Sequence, residues 1–231
     1  MLIGIIGAME MEVEGLKAVM DSPISETISS VTYYRGRING TECVVACAGV
    51  GKVNAAVCAQ TMILKYSPAC VINTGVAGGL ESGQKPGDIV IADSVVEHDM
   101  DTTPCGDAPG FINGIDRVYM DCDRELADKL YEAACMTGGG RVSRGIIASG
   151  DQFIASAEQR NRIIETFRAS AAEIEGASIG HVCCLAGVPF GVIRAVSDGA
   201  DSSSTVDFPT FAKAAAENSV GILLKLLEII H

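Results

Sequence analysis

Short runs of apolar, often β-branched residues alternate along this chain with longer segments of helical periodicity. The runs fall at 2–6, 31–38, 41–47, 70–73, 88–93, 142–148, 171–174 and 190–196. The helical patterns lie near 10–20, 52–66, 123–136, 157–167, 176–186 and 208–230. A strand covered on both faces reads as a continuous apolar run, while a flanking helix needs only one apolar stripe. The alternation therefore predicts an α/β fold with a largely parallel sheet. Residues 31–47 interrupt it, because two strand-like runs meet at Asn39-Gly40. That dipeptide favours the left-handed backbone of a tight hairpin turn. A mixed central sheet flanked by helices is expected. No linker, low-complexity tract or internal repeat divides the 231 residues, so one domain over 1–231 is expected. The stretch 99–122 is rich in Asp, Pro and Gly, shows neither period, and reads as a long functional loop.

Composition narrows the class of partner. Hydrophobic residues make up 48% and charged residues 20%, as in an ordinary globular chain. The net charge of −12 opposes binding to nucleic acid, whose phosphates must be neutralised by Lys and Arg, and to an anionic membrane surface. The N-terminal run meets Glu10, Glu12 and Glu14 with no basic segment before it, unlike a signal peptide. No stretch approaches the ~18 uninterrupted apolar residues of a membrane span. Nine cysteines, an odd number with no C-x-x-C pair, suggest a reducing cytoplasm rather than a disulfide framework.

Three strand-like runs lead into small residues: Gly7-Ala8, Ala48-Gly49-Val50-Gly51 and Gly75-Val76-Ala77-Gly78-Gly79. Small residues let backbone approach a ligand, and ligands in such sheets sit beyond the carboxyl ends of strands. The usual nucleotide motifs fail. Asn54 stands where a dinucleotide fingerprint needs its third Gly, and Ala46 and Val53 break a phosphate-binding loop around Gly51-Lys52. Tight strand-to-helix turns explain each loop equally well.

The carboxylates are more informative. If 9–20 is one helix, Met9, Val13, Leu16 and Met20 share a stripe at ~100° per residue. Glu10 and Glu14 then face solvent, and Glu12 lies half-buried beside the stripe. Burial would raise its pKa toward the range useful for acid–base work, although a first-turn acid also simply suits the helix dipole. In Glu173-Ile174-Glu175, a continuing strand would put both glutamates on one face; if the strand ends there, Glu175 stands at its mouth, just before the helix 176–186. Carboxylates are costly inside a sheet, so a polar ligand or a solvated edge must compensate. Asp198 closes the apolar run after Ser197, where it could serve a site or cap a turn. His98-Asp99-Met100-Asp101 lacks a second His or Cys group for a metal, and His181, Cys183 and Cys184 read as a packed helix face.

Six blocks in order carry a resemblance: Gly4-Ile-Ile-Gly-Ala-Met-Glu-Met-Glu12-Val, Gly49-Val-Gly-Lys-Val-Asn-Ala-Ala, Asn73-Thr-Gly-Val-Ala-Gly-Gly, Ser149-Gly-Asp-Gln-Phe153-Ile, Glu173-Ile-Glu175 and Arg194-Ala-Val-Ser-Asp198. Together, over about residues 3–230, the chain resembles the bacterial 5′-methylthioadenosine/S-adenosylhomocysteine nucleosidases. The resemblance implies a nucleoside phosphorylase-like, three-layer α/β fold and hydrolysis of an adenine nucleoside without metal or organic cofactor. It implies that Asp198 protonates adenine N7, that Glu12 activates water with Arg194 steadying it, and that Glu175 and the Ile174 backbone bind the ribose. Phe153 would stack on adenine and the Ile154 backbone would read its edge. Met9, Val50 and Phe208 would line the 5′ pocket, and Val76, Ala77, Gly78, Glu173 and Ser197 would complete the substrate surface. A homodimer is implied, the loop near 99–112 closing the neighbouring site.

The chain departs from the family pattern at Val76, where many relatives place Ser or Thr, and at Ile174, where Met is usual. Its 99–122 loop looks shorter and has no Tyr or Phe before Phe111. Three other readings stand beside this one: a phosphorylase, a hydrolase of another purine nucleoside such as futalosine, and a non-catalytic nucleoside binder. A phosphorylase would need arginines after the first strand and in the third Gly-rich loop, yet the first Arg is Arg35 and 74–80 holds no basic residue.

Overall fold

The computed structural model describes residues 1–200 and 204–230. Ten strands join in one mixed sheet. They are β1 (Leu2–Gly7), β2 (Asp21–Ile28), β3 (Val31–Ile38), β4 (Thr41–Cys47), β5 (Cys70–Gly79), β6 (Ile89–Glu97), β7 (Met120–Asp121), β8 (Val142–Ser149), β9 (Ala169–Glu173) and β10 (Phe190–Asp198). The helices are α1 (Glu14–Ala18), α2 (Lys52–Tyr66), α3 (Arg124–Thr137), α4 (Ala157–Phe167), α5 (Gly176–Ala186) and α6 (Ser204–Ile229).

The sheet order is β10-β6-β8-β9-β5-β1-β4-β3-β2, and β10 also pairs with β5. Five strands, β5, β9, β8, β6 and β10, thus close on one another, and β1, β4, β3 and β2 extend from β5 as an open wing. Closure explains how distant residues meet. β5 lies parallel to β10 with Gly78 opposite Asp198, and antiparallel to β9 with Gly78 opposite Ala172. One glycine of β5 is therefore flanked by the ends of the strands that carry Asp198 and Glu173. A Cβ at Gly78 would come within 2.8 Å of the Ala200 Cβ and 3.1 Å of Asp198 Oδ1, so the crossing needs a residue without one.

Two apolar layers cover the sheet. Ile3, Ile5 and Ile72 pack with Leu16, Leu130, Leu223, Leu226 and Leu227 of α1, α3 and α6. Ile6, Val44 and Val71 pack with Cys58, Met62, Ile179 and Cys183 of α2 and α5. Successive β1 residues supply opposite layers, as strand alternation requires. The three-layer expectation holds, and the hairpin turn falls at Asn39 and Gly40, both at positive φ.

Several boundaries differ from the sequence expectation. The span 10–20 is not one helix: a 3-10 turn at Glu10–Glu12 precedes the short α1. β2 was not foreseen, because it is an edge strand that is exposed almost throughout and carries no apolar alternation. The third Gly-rich segment is the second half of β5 rather than a loop after it. The stretch 99–122 contains a 3-10 turn at Thr103–Cys105 and the two-residue β7.

Leu226 is fully buried in the layer beneath α6. Leu226→Ala leaves a cavity there and should cost about 2–5 kcal/mol, read as a lowered midpoint in urea unfolding.

Candidate active site

A cavity of about 260 Å³ opens at the carboxyl ends of β1, β5, β9 and β10. Its wall includes Glu12, Glu173, Glu175 and Asp198, all buried. A larger groove of about 860 Å³ lies at the opposite strand ends, beside Met1, Cys70 and Pro189. Charges of both signs rim that groove, and none of the clustered carboxylates reaches it.

Glu12 gets there because the chain turns sharply after β1. The 3-10 turn points its carboxylate back to accept Ala8 N–H at 2.7 Å and Met9 N–H at 2.9 Å through Oε2. Oε1 accepts Val76 N–H from β5 at 3.1 Å. Burial pushes its pKa up, against the opposing pull of the Arg194 guanidinium and these three backbone donors. Glu12 is thus fully buried rather than half-buried, since it plugs a turn instead of riding a helix face.

Glu173 and Glu175 do not share a strand face. β9 stops at Glu173, and Glu175 is the residue that starts α5. Glu173 accepts from Ser149 Oγ, Arg194 Nη2 and the backbone N–H groups of Glu175 and Gly176. Burial works against its charge, but Arg194, Ser149 and the two N–H groups outweigh it and hold the carboxyl below its usual range. Among the described residues Glu175 accepts from Gly51 N–H alone, at 3.0 Å. Burial, then repulsion from Glu173, push it up to about 7 despite Arg194 and the Gly51 donor, with Glu12 adding further repulsion.

Arg194 is fully buried and stands behind these carboxylates rather than on the cavity wall. Its Nη2 donates to Glu173 and to Asn73 Oδ1, and lies 4.0 Å from Glu175 Oε2. A Cβ at Gly75 would lie 2.2 Å from Arg194 Nη1 and 2.6 Å from Glu12 Oε1, so this pair requires glycine in mid-strand. Asp198 ends β10, where Ser197 Oγ donates to Oδ2 at 2.8 Å and Ala200 N–H to Oδ1 at 2.9 Å.

The apolar part of the wall comes from Met9, Val50, Val76, Ala77, Gly78, Phe153, Ile154, Ile174 and Phe208, with Ser197 beside Asp198. Phe153 meets Phe208 edge to face at 5.6 Å between ring centroids, and both line the cavity. Every predicted site residue except Arg194 therefore lines one cavity. Asn73, Ser149 and Gly51 were not among them, although each bonds an acidic or basic group of the site. Asn73 was detectable as a fully buried amide in an apolar run, where a polar group demands a partner. His181 binds Glu97 at 3.0 Å instead of merely packing, and Asp99 binds Lys52.

The model of the phosphorylase superfamily matches residues 2–228. The chain is 39% identical over 228 residues to the 5′-methylthioadenosine/S-adenosylhomocysteine nucleosidase of Actinobacillus succinogenes, covering 98% of each. The chain belongs to this nucleosidase family of the phosphorylase superfamily. The nucleosidase of Neisseria meningitidis, solved with methylthio-immucillin-A, superposes with a TM-score of 0.95 at 37% identity over 99% of both chains. A futalosine hydrolase mutant of Helicobacter pylori superposes with a TM-score of 0.93 at 31% identity over 99% of both.

The carboxylate cluster stores charge at a cost in stability. Between pH 4.5 and about 7, folded Glu175 keeps a proton that the unfolded chain releases. Its contribution to stability therefore declines as pH rises across that interval. Glu175→Gln should raise the thermal midpoint at pH 8 and leave it nearly unchanged at pH 4, as differential scanning calorimetry would register.

Proposed function

We propose that this chain hydrolyses the N-glycosidic bond of 5′-methylthioadenosine and S-adenosylhomocysteine, releasing adenine and the 5′-substituted ribose. The observation that carries this reading is the convergence of Glu12, Glu175 and Asp198 on one cavity whose described wall holds no Lys, Arg or His.

Cleavage of a glycosidic bond builds positive charge on the sugar and negative charge on the leaving base. Asp198, at the end of β10, passes a proton to adenine N7, so the base leaves neutral. Phe153 stacks on the base, and the Ile154 backbone reads its edge. Glu175 accepts from the ribose hydroxyls and, when ionised, stabilises the sugar cation, aided by the Ile174 backbone. Glu12 takes the proton of the attacking water, which becomes the anomeric hydroxyl. Its two oxygens are fixed by three backbone donors, so the base is oriented before substrate arrives. Arg194 acts through Glu173 and the other carboxylates, keeping the acidic cluster folded. Val76 offers the water no hydroxyl; its N–H is used on Glu12.

Water is favoured over phosphate as nucleophile. A phosphate needs cationic donors, and the nearest guanidinium is bonded to Glu173 and Asn73 behind the wall. Futalosine is the less favoured substrate, because the relatives at 38–39% identity from Actinobacillus, Haemophilus and Shewanella carry the methylthioadenosine/S-adenosylhomocysteine nucleosidase name.

The same reading makes residues 1–231 one catalytic domain, working as a cytoplasmic homodimer in which loop 99–112 covers the neighbouring site. No described helix is long and apolar enough to cross a membrane. Exposed Val53, Val57 and Leu64 supports the dimer, since these residues fall within about 40° on one side of α2, beside the cavity mouth at Val50.

Purified protein given methylthioadenosine in phosphate-free buffer should release adenine and methylthioribose. A ribose 1-phosphate that appears only with phosphate would sink the hydrolase reading. Asp198→Asn and Glu12→Gln should each lower kcat by about a hundred- to ten-thousandfold while circular dichroism stays native. In the wild type, kcat/KM should climb as pH rises through about 7, where Glu175 ionises.

A further inference from the structure

Lys52 opens α2 and touches neither the cavity nor any residue assigned a chemical role. It nonetheless ties together the segments that carry those roles. Its backbone N–H donates to Asp151 Oδ1 at 2.8 Å. Asp151 N–H donates to Asp99 Oδ2 at 2.9 Å. The Lys52 ammonium closes the ring on Asp99 Oδ1 at 2.7 Å and also binds Glu97 Oε2 at 3.0 Å.

Each member of this ring adjoins part of the site. Asp151 directly precedes Gln152, Phe153 and Ile154, which line the cavity, the last two being the residues proposed above as the adenine wall. Gly51, one residue before Lys52, gives Glu175 a hydrogen-bond donor, its N–H at 3.0 Å. α5, which begins after Glu175, is tied back twice more: Ser178 Oγ donates to Lys52 O at 2.8 Å, and His181 meets Glu97 at 3.0 Å. The Lys52 side chain is only 19% exposed, and the carboxylates it joins come from the end of β6 and the turn after it.

We propose that Lys52 is a positioning residue whose ring with Asp99 and Asp151 fixes the adenine wall relative to the ribose carboxylate Glu175. The inference rests on the nucleosidase reading above. Without the ammonium, Glu97 keeps His181 and Asp99 keeps His98 and the Asp151 N–H, and the cation that joins the two carboxylates is gone. The ring opens, Asp151 and the Phe153 segment drift, and Gly51 N–H loses its aim on Glu175. The charged groups facing Glu175 are Glu173 from β9, Arg194 from β10 and Glu12 from the turn after β1. Of the two influences that hold its pKa down, Arg194 and Gly51 N–H, the variant weakens the second. The acid limb of the rate profile should move to higher pH.

The test compares full-length wild type, Lys52→Met, Lys52→Arg and Lys65→Met, whose ammonium pairs with Glu26 on the surface. Methylthioadenosine turnover is followed across pH, and adenine binding is measured by calorimetry. Lys52→Met should lose about 10- to 100-fold in kcat/KM, bind adenine more weakly and shift the acid limb upward. Lys52→Arg should recover part of each effect, and Lys65→Met should match wild type. Lys52→Met with the wild-type acid limb and adenine affinity overturns the inference, whatever its melting temperature. If Lys52→Met does not fold, Asp151→Ala opens the ring from its other side and decides by the same two readouts. A wild type without turnover counts instead against the nucleosidase reading.

Discussion

One buried guanidinium carries the electrostatics of this molecule. Arg194 sits in the interior of β10 with Glu173 bonded to it, Glu175 at 4.0 Å and Glu12 close enough to feel its charge. Three carboxylates around one cation would not survive burial without further donors, because removing a charge from water costs several kcal/mol per ion. The protein meets that demand with backbone: Ala8, Met9 and Val76 for Glu12, Glu175 and Gly176 for Glu173, Gly51 for Glu175. These donors come from strand ends and turns, so the charge cluster fixes the geometry of the sheet as much as the sheet positions the cluster.

The donors are shared unequally, and the inequality sets the chemistry. Glu173 has the cation, a hydroxyl and two N–H groups, and it remains charged. Glu175 has one N–H group and a charged neighbour, and it is poised near neutrality. Groups of one chemical type, placed a few residues apart, thereby become a permanent anion and a titratable one.

The fold was legible where burial imposes a period. β3, β4, α2 and α5 lie where their patterns put them, since each packs one face on the core and the turns between them use Gly or Asn. The pattern failed where no face is buried, as in β2, and where a buried polar group bends the chain. Glu12 is the clearest case. Its carboxylate binds the turn that contains it, so helical periodicity misplaced it, while the ordered motif blocks singled it out and the structure puts it on the cavity wall. For Glu175 the sequence left two placements open, a strand face shared with Glu173 or the mouth of a strand just before the helix, and the structure takes the second. What the linear sequence could not display is closure. Nothing local in Gly78 reveals that it pairs with both Ala172 and Asp198.

That closure leaves the sheet with an uneven distribution of risk. The half bearing the cavity has its strands paired all the way round, so register there cannot slip without breaking bonds on both sides. The outer wing ends at β2, four strands from β5, in a solvent-facing ribbon whose turn at Ser29 and Ser30 touches nothing that holds the acidic cluster. A graft such as an epitope tag or a surface-attachment peptide belongs at that turn, where added chain meets water and the reaction chamber is left as it was.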